Sequence, residues 1–372
     1  MQLVDEERDE LRASARKMLD SMCGSEHIRA LLDDPRGSDA KLWASMADLG
    51  WLAIHVPEGF GGMGASYSDL AVIIHELGRH VAPTPFLASA VVGTEALLAG
   101  ENDSIRADWL PSIIGGERLL TVANAGPNGS YSPNGLGVRW HAKGGLTLDG
   151  VARFVPDAHI ADGIVVTATD GSGNLVATMV EAPSDGLNIE NEPTVDQTRR
   201  LCRVSLDNVR VSDSHLLCSP GSAADLHARI TNIGAIATSI DSVGAAERIL
   251  EVTSQYAKER VQFDRPIGSF QAVKHHCANM LIAVEGSRAA CTFATDSLDD
   301  EGDINVAASV AKSYSGLACA ESCALAVQVH GGIGFTWEHD AHLYLKRTKL
   351  NESLFGTSSW HRRRVGASLV DV

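Results

Sequence analysis

The hydrophobic period of this chain changes twice, and that change limits the possible folds more than any other feature. From residue 1 to about 119 apolar residues recur at helical spacing. Leu11, Ala15, Met18 and Leu19 share one face, and a second stripe runs through Leu70, Ile73, Ile74 and Leu77. Pro83 and Pro85 interrupt the chain before a further apolar helix, Phe86 to Leu98. Past 119 the helical period is lost. Gly163 to Thr169, Leu175 to Glu181 and Leu201 to Val211 alternate or run apolar between turn residues, which predicts antiparallel strands. From about 221 helical spacing returns. One run extends from Ala224 to Arg260 through Ile230, Ile233, Ala237, Ile240 and Gly244, followed by Ala272 to Leu298 and Val306 to Val329. Long antiparallel helices joined by short loops make a bundle. The pattern therefore predicts an α+β chain in three blocks: helical 1–119, β 120–217 and helical 218–372.

Charge and cysteine usage narrow the function classes. The 372 residues carry a net charge of -16, which argues against nucleic acid and against anionic membrane surfaces as partners. Any site for an anionic ligand must then be locally basic despite the overall sign. Cys23, Cys202, Cys218, Cys277, Cys291, Cys319 and Cys323 are scattered without zinc-ribbon spacing, which reads as reduced, mostly buried thiols. The first 22 residues are acidic and amphipathic, unlike a secretory or transit peptide, and no apolar run approaches membrane-spanning length. A cytoplasmic protein is expected.

Two segments of the last third carry phosphate-handling chemistry on helix ends. In Arg260 to Gln271 (RVQFDRPIGSFQ), Arg260, Gln262 and Phe263 close a long helical run. Pro266-Ile267-Gly268 turns the chain before Phe270-Gln271 opens the next helix. A guanidinium fork suits a diphosphate. In Gln328 to Gly334 (QVHGGIG), Gly331 and Gly332 follow Gln328 and His330, and adjacent glycines let backbone approach a bulky ligand without a Cβ between them. Near the start, Trp43 to Gly64 (WASMADLGWLAIHVPEGFGGMG) has a helix ending around Leu49-Gly50. A glycine loop, Gly61-Gly62-x-Gly64, follows it. No strand precedes that loop and its spacing is wrong for a dinucleotide fingerprint, so a Rossmann reading is rejected.

These motifs, spread over nearly the whole chain, resemble those of the acyl-CoA dehydrogenase family. The resemblance implies an N-terminal all-helical domain, a middle antiparallel β domain and a C-terminal four-helix bundle. It also implies FAD as cofactor, held partly by an arm that reaches across a subunit interface. Arg260, Gln262, Phe263, Phe270, Gln271, Gln328, His330, Gly331, Gly332 and Thr357 match the flavin-contacting positions.

The chain departs from the family at the base. The family's reaction removes a proton from the carbon beside a thioester carbonyl, and the carboxylate that takes it must be weakly solvated. In most members it is a glutamate in a Tyr-Glu-Gly-Thr type of turn, matched here by Leu354-Phe355-Gly356-Thr357. Other members place it on the long helix before the arm, at a position that falls on or within a residue of Gly234, and the arginine that usually follows is matched by Ala235. Both seats lack a carboxylate. Glu352, three residues before Phe355, would share its face if this turn were helical and is the best candidate for a substitute base.

The flavin-edge motifs of the middle domain are eroded as well. Ala125-Gly126-Pro127 and Gly129-Ser130-Tyr131 stand where the family has Thr-Glu-Pro and Gly-Ser-Asp. Phe154-Val155-Pro156 stands in place of Trp-Ile-Thr. The groups lent to a neighbour's flavin remain while the chain's own are degraded. The chain is thus similar to the base-lacking subunit of actinobacterial α2β2 acyl-CoA dehydrogenases acting on steroid side chains. That similarity implies a homologous partner carrying the glutamate, an acyl-CoA substrate and an electron-transferring flavoprotein as acceptor. A self-sufficient flavoenzyme using Glu352 and a non-catalytic subunit that binds a CoA thioester are the competing readings.

His275-His276-Cys277 point in different directions on a helix and cannot share one ion, and His339 and His342 lack a third ligand, so no metal is expected. Arg362-Arg363-Arg364 reads as a solvated last turn, with contact to a phosphate or to the partner subunit as the alternative, and Asp241 and Glu247 as bundle ion pairs.

Overall fold

The computed structural model describes residues 3–142, 145–170 and 172–370. Six helices come first: α1 (Asp5–Met22), α2 (Ser25–Leu32), α3 (Ala40–Asp48), α4 (Tyr67–Arg79), α5 (Thr94–Leu98) and α6 (Asp103–Ile114). Eight strands follow: β1 (Leu120–Ala123), β2 (Val138–His141), β3 (Leu146–Pro156), β4 (Gly163–Thr169), β5 (Leu175–Glu181), β6 (Leu187–Glu192), β7 (Leu201–Val211) and β8 (Leu216–Cys218). Helices then return as α7 (Ala223–Glu259), α8 (Gln271–Asp299), α9 (Ile304–His330), α10 (Ala341–Ser353) and α11 (Ser358–Val370). Between α7 and α8 lies a short hairpin, β9 (Val261–Gln262) and β10 (Arg265–Pro266). The chain divides into two compact units.

One unit holds Asp33–Leu70 and Pro83–Gly234. Its sheet runs β6-β7-β3-β2-β4-β5-β8, with β1 also paired to β4. The expected antiparallel pairing holds except at β1–β4 and β2–β4, which are parallel. Strands β4 and β5 are apolar along nearly their whole length because both faces are covered, and β4 is buried at every position. Leu148, Val155, Ile164, Val166, Val176, Val204 and Val209 form the core of the sheet. The apolar helix expected over Phe86 to Leu98 is instead a π-helical stretch, Leu87–Gly93, continuing into α5. Ser89 accepts a hydrogen bond from Leu120 N at 3.1 Å and so ties this segment to β1.

The other unit holds Val4–Leu32, Ala71–Ala82 and the chain from Ala235 onward. Gly78 on α4 and Gly244 on α7 let the two backbones touch. A Cβ on Gly78 would come within 2.1 Å of Asp241 O, and one on Gly244 within 2.1 Å of His75 O. Polar groups are buried here in pairs. Arg347, fully buried, donates to Asp241 Oδ1 at 3.1 Å and to the carbonyls of Val81 and Ala82, while Asn351 donates to Asp241 Oδ2 at 2.6 Å. Glu247 lies 2.7 Å from His75, 3.3 Å from Arg79 and 3.1 Å from Arg288. Asp241 and Glu247 thus make the ion pairs expected of them. None of the seven cysteines forms a disulfide, and all but Cys277 are buried. No helix among the described residues is long and apolar enough to cross a membrane.

Candidate functional site

The two eroded motifs of the sheet unit meet in space. Arg153 N donates to Ala125 O, its guanidinium reaches Pro127 O, and a Cβ on Gly129 would sit 3.2 Å from the Phe154 ring. Phe154 adopts φ 57°, left-handed for a residue with no steric licence for it, and Arg153 stacks over its ring at 4.7 Å. The Pro156 carbonyl accepts from Thr121 Oγ1 at 2.6 Å. Around this loop two further groups are tied to α7. Asn124 Nδ2 donates to Thr231 Oγ1 at 3.2 Å, and His227 Nε2 donates to Tyr131 O at 2.8 Å. Thr231 and His227 are one turn apart on α7. The segment therefore fastens the first turns of α7 and presents no threonine hydroxyl to a ligand.

The arm belongs to the helical unit and faces outward. The α7 helix ends at Glu259, so Gln262 and Phe263 lie on the β9–β10 hairpin and not on the helix they were expected to close. Its turn is Phe263-Asp264, both with positive φ (54° and 61°). Phe263 is 86% exposed and meets Phe270 edge-on at 6.0 Å. Arg265, which no motif singled out, sits over the Phe270 ring at 4.1 Å. Arg260, Gln262, Gln271, Gln328, Gly331, Gly332 and Thr357 are exposed. Arg260 has no side-chain partner among the described residues, and a Cβ on Gly331 or Gly332 would meet open space. His330 is turned inward. It is 4% exposed, donates Nδ1–H to Ala326 O at 2.7 Å, stacks on Tyr256 at 4.5 Å and meets His339 at a tilt, ring centroids 4.3 Å apart. Burial holds the pKa of both histidines below its ordinary value.

The two positions expected to seat the base, Phe355 and Gly234, carry no carboxylate. Phe355 is 5% exposed, in the turn between α10 and α11, at φ 57°. Its carbonyl accepts from His361 Nε2 at 2.9 Å, which leaves Nδ1 to accept from Ser309 Oγ at 3.2 Å. Burial pushes the His361 pKa down to about 3, so the ring is neutral. Glu352 Oε1 accepts from Ser358 N at 3.0 Å and thereby caps the start of α11. Gly234 and Ala235 are buried mid-helix.

A charged cluster of the sheet unit was not foreseen. Glu95 on α5 is 1% exposed, accepts from Arg229 Nε on α7 and accepts from Tyr67 Oη at 2.6 Å. The available signal was a lone carboxylate inside the apolar run Phe86 to Leu98. Elsewhere, Trp337 stands 4.7 Å from His342. No group of three or more His, Cys, Asp or Glu among the described residues is placed to hold a metal.

Helices, a mostly antiparallel sheet and helices again follow one another in chain order, the three-block layout that the resemblance implies for an acyl-CoA dehydrogenase fold. Two family models match the chain: "Acyl-CoA dehydrogenase, N-terminal domain" over residues 5–117 and "Acyl-CoA dehydrogenase, C-terminal domain" over 226–370. The acyl-CoA dehydrogenase IpdE2 of Mycolicibacterium smegmatis is 30% identical over 371 residues, covering 98% of this chain and 100% of the relative. A chain of the ChsE4-ChsE5 complex from Mycobacterium tuberculosis superposes with a TM-score of 0.90 at 28% identity, covering 100% of this chain and 99% of that one. A variant of the Tcur3481-Tcur3483 steroid ACAD gives 0.88 at 28% identity, with 98% of each chain covered. This chain belongs to the acyl-CoA dehydrogenase family. Membership makes it a dehydrogenase-type oxidoreductase and implies FAD as cofactor. The residues present fit that group in part: the exposed, unpaired Arg260 and the open Gly331-Gly332 loop suit its diphosphate, whereas the 124–131 and 154–156 segments offer its ring no threonine hydroxyl.

Proposed function

We propose that this chain is the subunit of a flavin-dependent acyl-CoA dehydrogenase that lends flavin-binding residues to a homologous, base-bearing partner. The observation that carries this reading is the contrast between Phe355, buried where a carboxylate belongs, and Arg260 of the same unit, exposed and unpaired. Bound FAD would accept hydride from the carbon β to the thioester. In that complex Arg260 and Gln328 would hold the diphosphate, the open Gly331-Gly332 backbone would admit it, and Phe263, Gln262, Phe270 and Gln271 belong to the arm beside them. His330 supports the loop from behind, and Thr357 receives Trp360 N at 3.2 Å to fix the turn that holds Phe355. The partner's glutamate removes the α proton, and electrons leave to an electron-transferring flavoprotein.

A steroid side-chain CoA ester is the substrate class favoured by the likeness to a structure described as a steroid ACAD. Seven free thiols suit a reducing compartment, and we place the α2β2 complex in the cytoplasm. The test is flavin stoichiometry after co-expression with a homologue that carries glutamate in one of the two seats. One FAD per pair of unlike subunits is expected, and none on this chain alone. Two per pair, or a yellow protein purified alone, would refute the division of labour.

A further inference from the structure

An arginine that reaches solvent is held from behind by a carboxylate that does not. Arg229 uses Nε on Glu95 Oε1 and Nη2 on Tyr67 Oη at 3.1 Å, and Tyr67 in turn donates to Glu95 Oε2 at 2.6 Å. Both carboxylate oxygens are thereby satisfied inside the sheet unit. The Arg229 side chain keeps 38% of its surface accessible, and Nη1 has no partner among the described residues. His55 stands beside this triad, its ring 5.7 Å from that of Tyr67, 8% exposed, with neither nitrogen hydrogen-bonded.

Stability is a poor account of this arrangement. Burying a carboxylate to pair it with a half-exposed guanidinium costs desolvation that an apolar replacement would not incur. What the arrangement does provide is orientation: a guanidinium pinned at two of its three nitrogens points the third in a fixed direction, with little rotamer entropy left to lose on binding. Burial opposes the charge on Arg229, yet Glu95 and Tyr67 outweigh it and raise its pKa. Burial keeps His55 neutral, free to donate from one nitrogen and accept at the other.

We propose that Arg229, oriented by Glu95 and Tyr67 and flanked by His55, is an oxyanion-binding subsite for a carboxylate or a phosphate. In a chain of net charge -16, a fixed guanidinium of this kind supplies the locally basic spot that an anionic ligand needs. The subsite stands on this geometry alone and does not depend on the flavin arm.

Calorimetric titration of the full-length, flavin-free chain tests it, with three probes at low salt: inorganic phosphate, coenzyme A and cholate. Binding of phosphate and coenzyme A marks a phosphate site, and binding of cholate marks a carboxylate site. In either case Arg229→Gln should weaken binding about 10-fold or more, and Arg229→Lys should recover part of it. Because Arg229→Gln leaves Glu95 buried without its partner, the double variant Glu95→Gln/Arg229→Gln, neutral at both positions, is measured beside it. A folded double variant that binds as the unmodified chain does, or an unmodified chain that binds none of the three probes, overturns the proposal.

Discussion

On the proposed reading, replacing Phe355 by glutamate puts a carboxylate where the family's base is expected, and the surroundings dictate what it can do there. Phe355 is 5% exposed, and truncating a buried phenylalanine costs about 3–5 kcal/mol. Glutamate keeps two methylenes of that volume but brings a carboxyl into a site whose nearest imidazole, His361, is neutral and already bonded to the residue's own carbonyl. Burial then raises the carboxyl's pKa, and the neutral acid still leaves polar atoms to satisfy, so a net loss of about 3 kcal/mol is expected. For a chain of this size that is about 4 °C in melting midpoint. The left-handed backbone at this position is no easier for glutamate than for phenylalanine. A general base contributes about 10²–10⁴-fold only when substrate and acceptor are already placed, and on the proposed reading the 124–131 and 154–156 segments do not place the acceptor. Turnover is measured with an acyl-CoA and an artificial electron acceptor. Phe355→Glu should be inactive alone and should leave the two-subunit complex near its normal rate. Robust turnover by the variant alone would mean that a single residue separates this site from function, and the reasoning would fall.

Two further perturbations test other parts of the account. Arg260→Ala should weaken FAD retention by the complex about 10- to 100-fold, and Gln328→Ala more mildly, read as flavin remaining after dialysis. Full occupancy in both variants would make these residues structural caps. His361, held near pKa 3 by burial against an ordinary 6.5, binds its proton more readily in the unfolded chain, so its contribution is complete above pH 6.5 and is lost as pH falls from there toward about 3. Melting midpoints across that window should fall less steeply in His361→Gln, and unchanged slopes would mean that His361 is not among the groups setting acid stability.

Where the sequence was legible, one physical signal dominated. The strands at Gly163–Thr169, Leu175–Glu181 and Leu201–Val211 and the three long helices were readable because burial imposes a period on the residues that make them. The π-helical Leu87–Gly93 was not, since an apolar run buried on every side has the same composition whichever helix it forms. The β9–β10 hairpin escaped because its turn, Phe263-Asp264, has no Asn-Gly or Asp-Gly signal. The parallel pairing of β1 and β2 with β4 depends on connections that no local pattern records. In the candidate site, motif spacing pointed to an exposed segment at the end of α7, whereas Arg229 and Glu95, 134 positions apart, became neighbours only in the fold.

The arm's placement depends on α7, and charged contacts explain how that helix is kept in register. From Ile230 to Ala246 it is buried at every position, so no apolar stripe distinguishes one rotation from another. Hydrophobic contact is non-directional and would tolerate a helix turned or slid by a residue. Directional groups would not. Thr231 and His227 bond the segment around Asn124 and Tyr131, and Arg229 pairs with Glu95 in the same unit. In the helical unit Asp241 pairs with Arg347, Glu251 receives Arg79 at 2.8 Å, and the Gly78 and Gly244 backbones meet at a distance only glycine allows. A slip of one residue along α7 would break all of these at once and would move Arg260, which directly follows its last turn. Within each unit α7 is thus specified by directional groups, and in the helical unit they fix where Arg260 follows its last turn.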